Sequence, residues 1–158
     1  ADRRLRRTRG RVHAMSLPHP EDDPAFYDHV IAKRFLAWLI DLLVTALLTV
    51  VAIILTLGFG ALIFPLIWGA IAIAYRTVML TRYGATAGML VAALRLRRLD
   101  GGRPGSTLCL WHSVIYSASM IVVPVQVASV AMMLTTPYRQ GLNDWILGTT
   151  ILNDYVER

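Results

Sequence analysis

The chain is poor in the groups that usually do chemistry in water. It has one cysteine, Cys109, which excludes a disulfide-stapled secreted domain. Charged residues make up 16% of it, against about 25% in an ordinary soluble domain. Between Asp41 and Arg76 there is no charge at all. The four histidines, His13, His19, His29 and His112, lack metal-site spacing. No phosphate loop, dinucleotide fingerprint, Ser/His/Asp arrangement or internal repeat is present, so no enzyme, cofactor or metal is expected. What the chain does have is apolar surface, at 56% of its residues, together with a formal net charge of +6. An integral membrane protein satisfies both, provided the charge sits outside the lipid.

The basic residues are clustered. Eight of the 16 Lys and Arg lie within residues 1–34 and six more within 76–103. Two apolar runs fall between the clusters, 35–57 and 59–80, each near the 20 residues needed to cross about 30 Å of hydrocarbon. Gly58-Phe59-Gly60 supplies the turn between them. Since cytoplasmic flanks collect Lys and Arg, both clusters are expected inside, making a hairpin with a cytoplasmic N-terminus. The placement also accounts for the net charge without nucleic acid as a partner.

A third apolar run, 108–134, contains Pro124, which lacks an amide hydrogen and should break or kink a helix. It is either a kinked crossing that leaves the C-terminus outside or a re-entrant pair that returns it to the cytoplasm. The fold class expected is therefore an all-α membrane protein: a transmembrane hairpin, a Pro-interrupted third segment and a short β-turn loop in the cytoplasm. Residues 1–26 read as a basic, then Pro- and acid-rich, unpacked arm, with Met15 as an alternative start; 27–153 form the membrane domain and 154–158 a tail. The arm and the loop are expected to attract anionic lipid headgroups of the bilayer.

A charge inside a membrane helix costs at least about 2.5–3.5 kcal/mol at the centre, so it needs a partner or a function. Asp41 lies seven residues after Arg34, on the same helical face, and Thr45 and Thr49 continue that face. On the second helix Pro65, Gly69, Ala72 and Arg76 form a small-residue face that ends in a guanidinium. Asp41 is expected to pair with Arg76, with Arg34, or with both. Two roles compete: a structural ion pair, or a proton- or cation-responsive carboxylate. His112, beside Trp111, reads first as an interfacial hydrogen-bonding residue and second as a lining residue of a pathway, with Thr45 and Thr49.

The link 81–107 contains Gly84-Ala85-Thr86-Ala87-Gly88, a strand-like Leu94-Arg95-Leu96-Arg97 and a hairpin turn at Asp100-Gly101-Gly102. Together with the first helix from Arg34 to Asp41 and the segment Arg139-Gln140-Gly141-Leu142-Asn143-Asp144, these motifs resemble, in order, the RDD family of small bacterial membrane proteins, over about residues 27–153. Three positions depart from the family pattern: Met89 and His112, where it is usually basic, and Asn143, where it has a histidine. The resemblance groups Arg34, Asp41 and Asp144 as a charge site and implies transport of ions or small solutes across the bacterial inner membrane. Two or three crossings are too few for a pathway, so a transporter would be a homo-oligomer. The alternative is a non-catalytic accessory subunit of a larger membrane complex.

Overall fold

Residues 29–57 contain no glycine or proline, and the chain forms one long helix there, α1 (Val30–Leu55). At 1.5 Å per residue it is about 39 Å long. The structure, a computed structural model, describes residues 17–154; the arginine-rich run at 3–11 and residues 155–158 lie outside the described residues. Gly58, at φ 87°, turns the chain into a 3-10 segment, Phe59–Ile63. Helix α2 (Phe64–Tyr83) follows, with Pro65 in the first turn, where its missing N–H is harmless. These two helices are long and apolar enough to cross a membrane.

The burial pattern is that of a protein whose outer solvent is lipid. On α1 the buried residues are Val30, Ala37, Asp41, Thr45 and Thr49, one face of small and polar side chains. Leu43, Leu47 and Ile54, on other faces, are exposed. The larger apolar cluster instead gathers Val30, Ala37, Leu80, Met89, Leu94, Leu96, Cys109 and Ile151, at the end of the hairpin where α1 begins and α2 finishes.

At that end Gly84, at φ 67°, stops α2, and Thr86 caps a single-turn helix, α3 (Ala87–Val91), by accepting from the Met89 amide. Helix α3 lies directly against α1: a Cβ built on Gly88 would come 2.0 Å from the Ala37 carbonyl oxygen. Strand β1 (Leu94–Arg98) follows. The turn at 100–102 forms as the sequence suggests, with the Gly101 amide donating to the Arg98 carbonyl (2.9 Å). The partner strand, however, is not local. It is β2 (Thr149–Asn153), antiparallel, with Leu94 opposite Asn153 and Arg98 opposite Thr149. The all-α expectation is corrected by this two-stranded sheet: the backbone of the strand-like 94–97 segment finds its partner in the distant C-terminal segment, while Leu94 and Leu96 pack among Val30, Ala37, Leu80 and Ile151.

The third apolar run divides into α4 (Ser106–Ile121) and α5 (Val123–Thr135), bent by 119° at Val122 with Pro124 in the first turn of α5. Gln126 Nε2 donates to Ser119 Oγ (2.8 Å) across the bend. Helix α2 packs most extensively on α4. The small-residue face expected to seat on α1 does not close at Gly69, where an added Cβ would meet nothing within 4 Å. The chain ends with α6 (Leu142–Leu147) and β2.

Part of the expected arm is packed. Leu17 and Tyr27 cluster with Leu152, and the Tyr27 hydroxyl donates to the Pro18 carbonyl (2.8 Å). Asn153 ties the entry to α1, its Nδ2 donating to the carbonyls of Ala25 and Asp28 and its Oδ1 accepting from Lys33 Nζ. Asp154 pairs with Arg95 (2.6 Å).

The two glycines give opposite expectations for the same substitution. Gly88→Ala drives a methyl into backbone, so it should lower the melting temperature in detergent, by at least the roughly 1–3 kcal/mol typical of overpacking. Gly69→Ala has room, and should hold or raise stability, by up to about 1 kcal/mol of helix propensity.

Candidate functional site

The carboxylate of Asp41 shares a helical face with Arg34, yet its partners come from α2 and from the start of α3. Oδ1 accepts from the Tyr75 hydroxyl (2.7 Å) and the Gly88 amide (2.9 Å). Oδ2 accepts from the Thr86 hydroxyl (2.6 Å) and, more distantly, from Arg76 Nη2 (3.5 Å). The Tyr75 oxygen in turn accepts from the Ala87 amide (3.0 Å). Asp41 thus fastens the turn after α2 to the middle of α1, and the bare α-carbon of Gly88 is what lets the two backbones approach. Arg76 completes its surroundings by lying over the Tyr116 ring, 3.7 Å from the centroid.

Arg34 belongs to a different pair. Its Nη2 donates to Asp144 Oδ2 (2.5 Å) and its Nη1 to the Arg139 carbonyl (3.3 Å). Asp144 is fully buried. The same Oδ2 accepts from the Gly141 amide (3.1 Å), capping α6, while Oδ1 faces His112 Nε2 (3.1 Å) and the Thr149 hydroxyl (3.4 Å). Burial alone would push this carboxyl up, but the Arg34 guanidinium and His112 outweigh it and hold it well below the usual carboxylate range. Of the partners expected for Asp41, then, Arg76 is found and Arg34 is not: Arg34 sits two turns nearer the start of α1, level with the returning C-terminal segment.

The remaining residues read from the sequence fall into two groups. Thr45 and Thr49 are buried, and each hydroxyl donates to the carbonyl four residues earlier (2.8 Å in both), so their polar groups are satisfied by α1 itself. His112 is buried, and hydrogen-bonds to Asp144. Because a carboxylate only accepts, the network places a proton on His112 Nε2. Tyr75, Thr86 and Gly88 escaped the sequence reading as partners of Asp41. The signal for Thr86 was present, since a hydroxyl residue between two glycines after a helix is a helix cap in waiting.

A cavity of about 380 Å³ lies between the two pairs. Arg34, Asp41, Arg76, His112 and Asp144 all line it, and its walls are otherwise mostly apolar, including Trp38, Met120 and Val130. Neither Thr45 nor Thr49 reaches it. Among the described residues, three buried side-chain atoms have no hydrogen-bond partner, Thr77 Oγ1, His112 Nδ1 and Asn143 Oδ1; His112 and Asn143 are also lining residues of the cavity. Among the described residues no three His, Cys, Asp or Glu side chains gather as metal ligands would.

Comparison with known proteins matches the RDD family over residues 30–148, a span that takes in both aspartates and both of their arginines. No curated protein and no solved structure matches the chain.

The depressed Asp144 carboxyl has a defined pH signature. Its contribution to stability is complete above the unfolded value near 3.8 and is lost as pH falls toward the lower folded value. Thermal unfolding in detergent should therefore show a wild-type advantage over Asp144→Asn of roughly 3–5 kcal/mol near neutral pH, the usual cost of unpairing a buried ion. That difference should narrow progressively below about pH 4.

Proposed function

The chain belongs to the RDD family of small membrane proteins, and we propose that it is a non-enzymatic, multi-pass protein of the bacterial inner membrane that binds a small solute and, as a homo-oligomer, carries it. The observation behind this reading is the cavity: every intramembrane charged residue recognised in the sequence lines it, between walls that are otherwise mostly apolar. In this reading the two Arg–Asp pairs hold the walls at a fixed spacing while the space between them takes the solute. Two long helices and one broken pair do not enclose a pathway alone, so a second copy completes it.

The orientation follows from charge and contact. Arg95, Arg97 and Arg98 on β1, with Arg82 at the end of α2, lie at the end of the hairpin where α1 begins; positive-inside counting puts that end, and the N-terminus, in the cytoplasm. The Arg34–Asp144 bond and the β1–β2 pairing hold the C-terminal segment at the same end. Both favour a re-entrant α4–α5 over a full crossing, because a crossing would carry Asp144 to the opposite face.

A second reading, a structural subunit of a larger complex, draws on the bonding of the carboxylates. All four oxygens of Asp41 and Asp144 accept from protein donors, which is what charges that merely join helices would do.

Flux in proteoliposomes separates the two. Wild type should pass at least one member of a panel of labelled cations, anions and small organic acids down an imposed gradient, and Val130→Trp, a bulkier wall residue that leaves both ion pairs, should slow that flux at least tenfold with an unchanged melting temperature. Wild-type vesicles without flux at any protein-to-lipid ratio would leave the structural-subunit reading. For topology, an impermeant maleimide should reach Leu99→Cys only from the cytoplasmic side and Leu62→Cys only from outside, native Cys109 being buried.

A further inference from the structure

We infer that the cavity between the two pairs is a site for a single-chain anionic amphiphile, whose oxyanion head is held by Arg76 and whose chain lies along the apolar wall. The inference rests on the solute-binding reading above and names the class of solute.

The hydrogen-bond accounting around the cavity selects the sign of the ligand. A carboxylate has about four acceptor sites. Asp41 fills them with Tyr75, Gly88, Thr86 and Arg76. Asp144 fills them with His112, Thr149, Arg34 and Gly141. A bound cation would have to displace one of these donors. Arg76 is in the opposite position. A guanidinium carries five N–H donors, and among the described residues Arg76 uses one, at 3.5 Å, with its flat face on Tyr116. Its side chain is 13% exposed and lines the cavity. Arg34, by contrast, is engaged by Asp144 and the Arg139 carbonyl. His112 Nδ1 and Asn143 Oδ1 also lack partners but have almost no accessible surface, so the spare bonding capacity that a ligand can reach is cationic, and a planar fork with unspent donors suits a carboxylate or a phosphate.

The walls select the body of the ligand. Phe35, Trp38, Met120, Val130 and Met133 are apolar, and methionines adapt to flexible chains. Phe35 and Val130 are also exposed on the outside of the bundle, so in a bilayer the cavity is bordered by lipid and an amphiphile can enter sideways. At about 380 Å³ the cavity lies at the small end of the roughly 300–1,000 Å³ typical of ligand sites. That volume suits one chain and not a whole two-chain lipid. The same chemistry can come from a free fatty acid or alkyl phosphate, or from the head and one chain of an anionic bilayer lipid.

The test is equilibrium binding of radiolabelled dodecanoate and dodecyl phosphate to the full chain in phosphatidylcholine nanodiscs, with protein-free discs as background. Expected is saturable binding that weakens at least tenfold in Arg76→Gln, is partly retained in Arg76→Lys, and is not displaced by dodecyltrimethylammonium. Repeating it in discs containing phosphatidylglycerol identifies the source: loss of probe binding assigns the site to a bilayer lipid, and retention assigns it to the free amphiphile. Binding that is unchanged in Arg76→Gln, with a melting temperature like wild type, overturns the assignment to Arg76. If only the cationic probe binds, and Val130→Trp abolishes it, the anionic class is wrong while the solute-binding reading stands. No saturable binding of any probe overturns both.

Discussion

The ion pair between Arg34 and Asp144 is the contact on which the arrangement of the chain depends. It joins residues 110 positions apart, at the start of the first membrane helix and in the last short helix. Asp144 is fully buried and also engages His112 on α4 and Thr149 at the start of β2, so one carboxylate gathers four elements. A buried pair of this kind contributes little net stability compared with well-packed apolar residues, because desolvation offsets most of the attraction. Its effect is on position: neither partner can be buried elsewhere without an uncompensated charge, so α6 has one place to go.

Asp41 performs a related task over a shorter range. It reaches from α1 to the turn after α2, collecting two hydroxyls, an amide and a guanidinium, and the resulting contact is so close that only glycine fits at 88. The two carboxylates thus hold the two sides of one cavity. Their arginines differ in how fully they are engaged. Arg34 is committed to Asp144 and a carbonyl, whereas Arg76 touches Asp41 at a distance and keeps most of its donors for something else.

Much of this was legible in the sequence because membranes impose coarse rules. A charge-free stretch between Asp41 and Arg76, broken by Gly58, announces two helices long and apolar enough to cross a membrane. Asp41 stood out because a carboxylate within an apolar run is costly. Pro124 marked the break between α4 and α5 because proline cannot continue the hydrogen-bond ladder. The partners of the charges were harder to see. The spacing of Arg34 and Asp41 suggested a pair, but same-face neighbours seven residues apart are two turns distant, and each found a nearer group on another element. His112 looked interfacial beside Trp111, and its burial against Asp144 depends on where α6 docks.

The sequence by itself determined the class of protein, the two membrane-length helices, the residues too costly to be idle in lipid, and the family to which the chain belongs. Each of these follows from composition, local periodicity or short motifs, which are properties of neighbouring residues. Tertiary structure decided which arginine meets which aspartate, which distant strand covers Leu94 and Leu96, and that a cavity remains between the two pairs. Those outcomes depend on contacts between segments as much as 110 positions apart. Such contacts are set by how whole elements pack, and no local pattern encodes them.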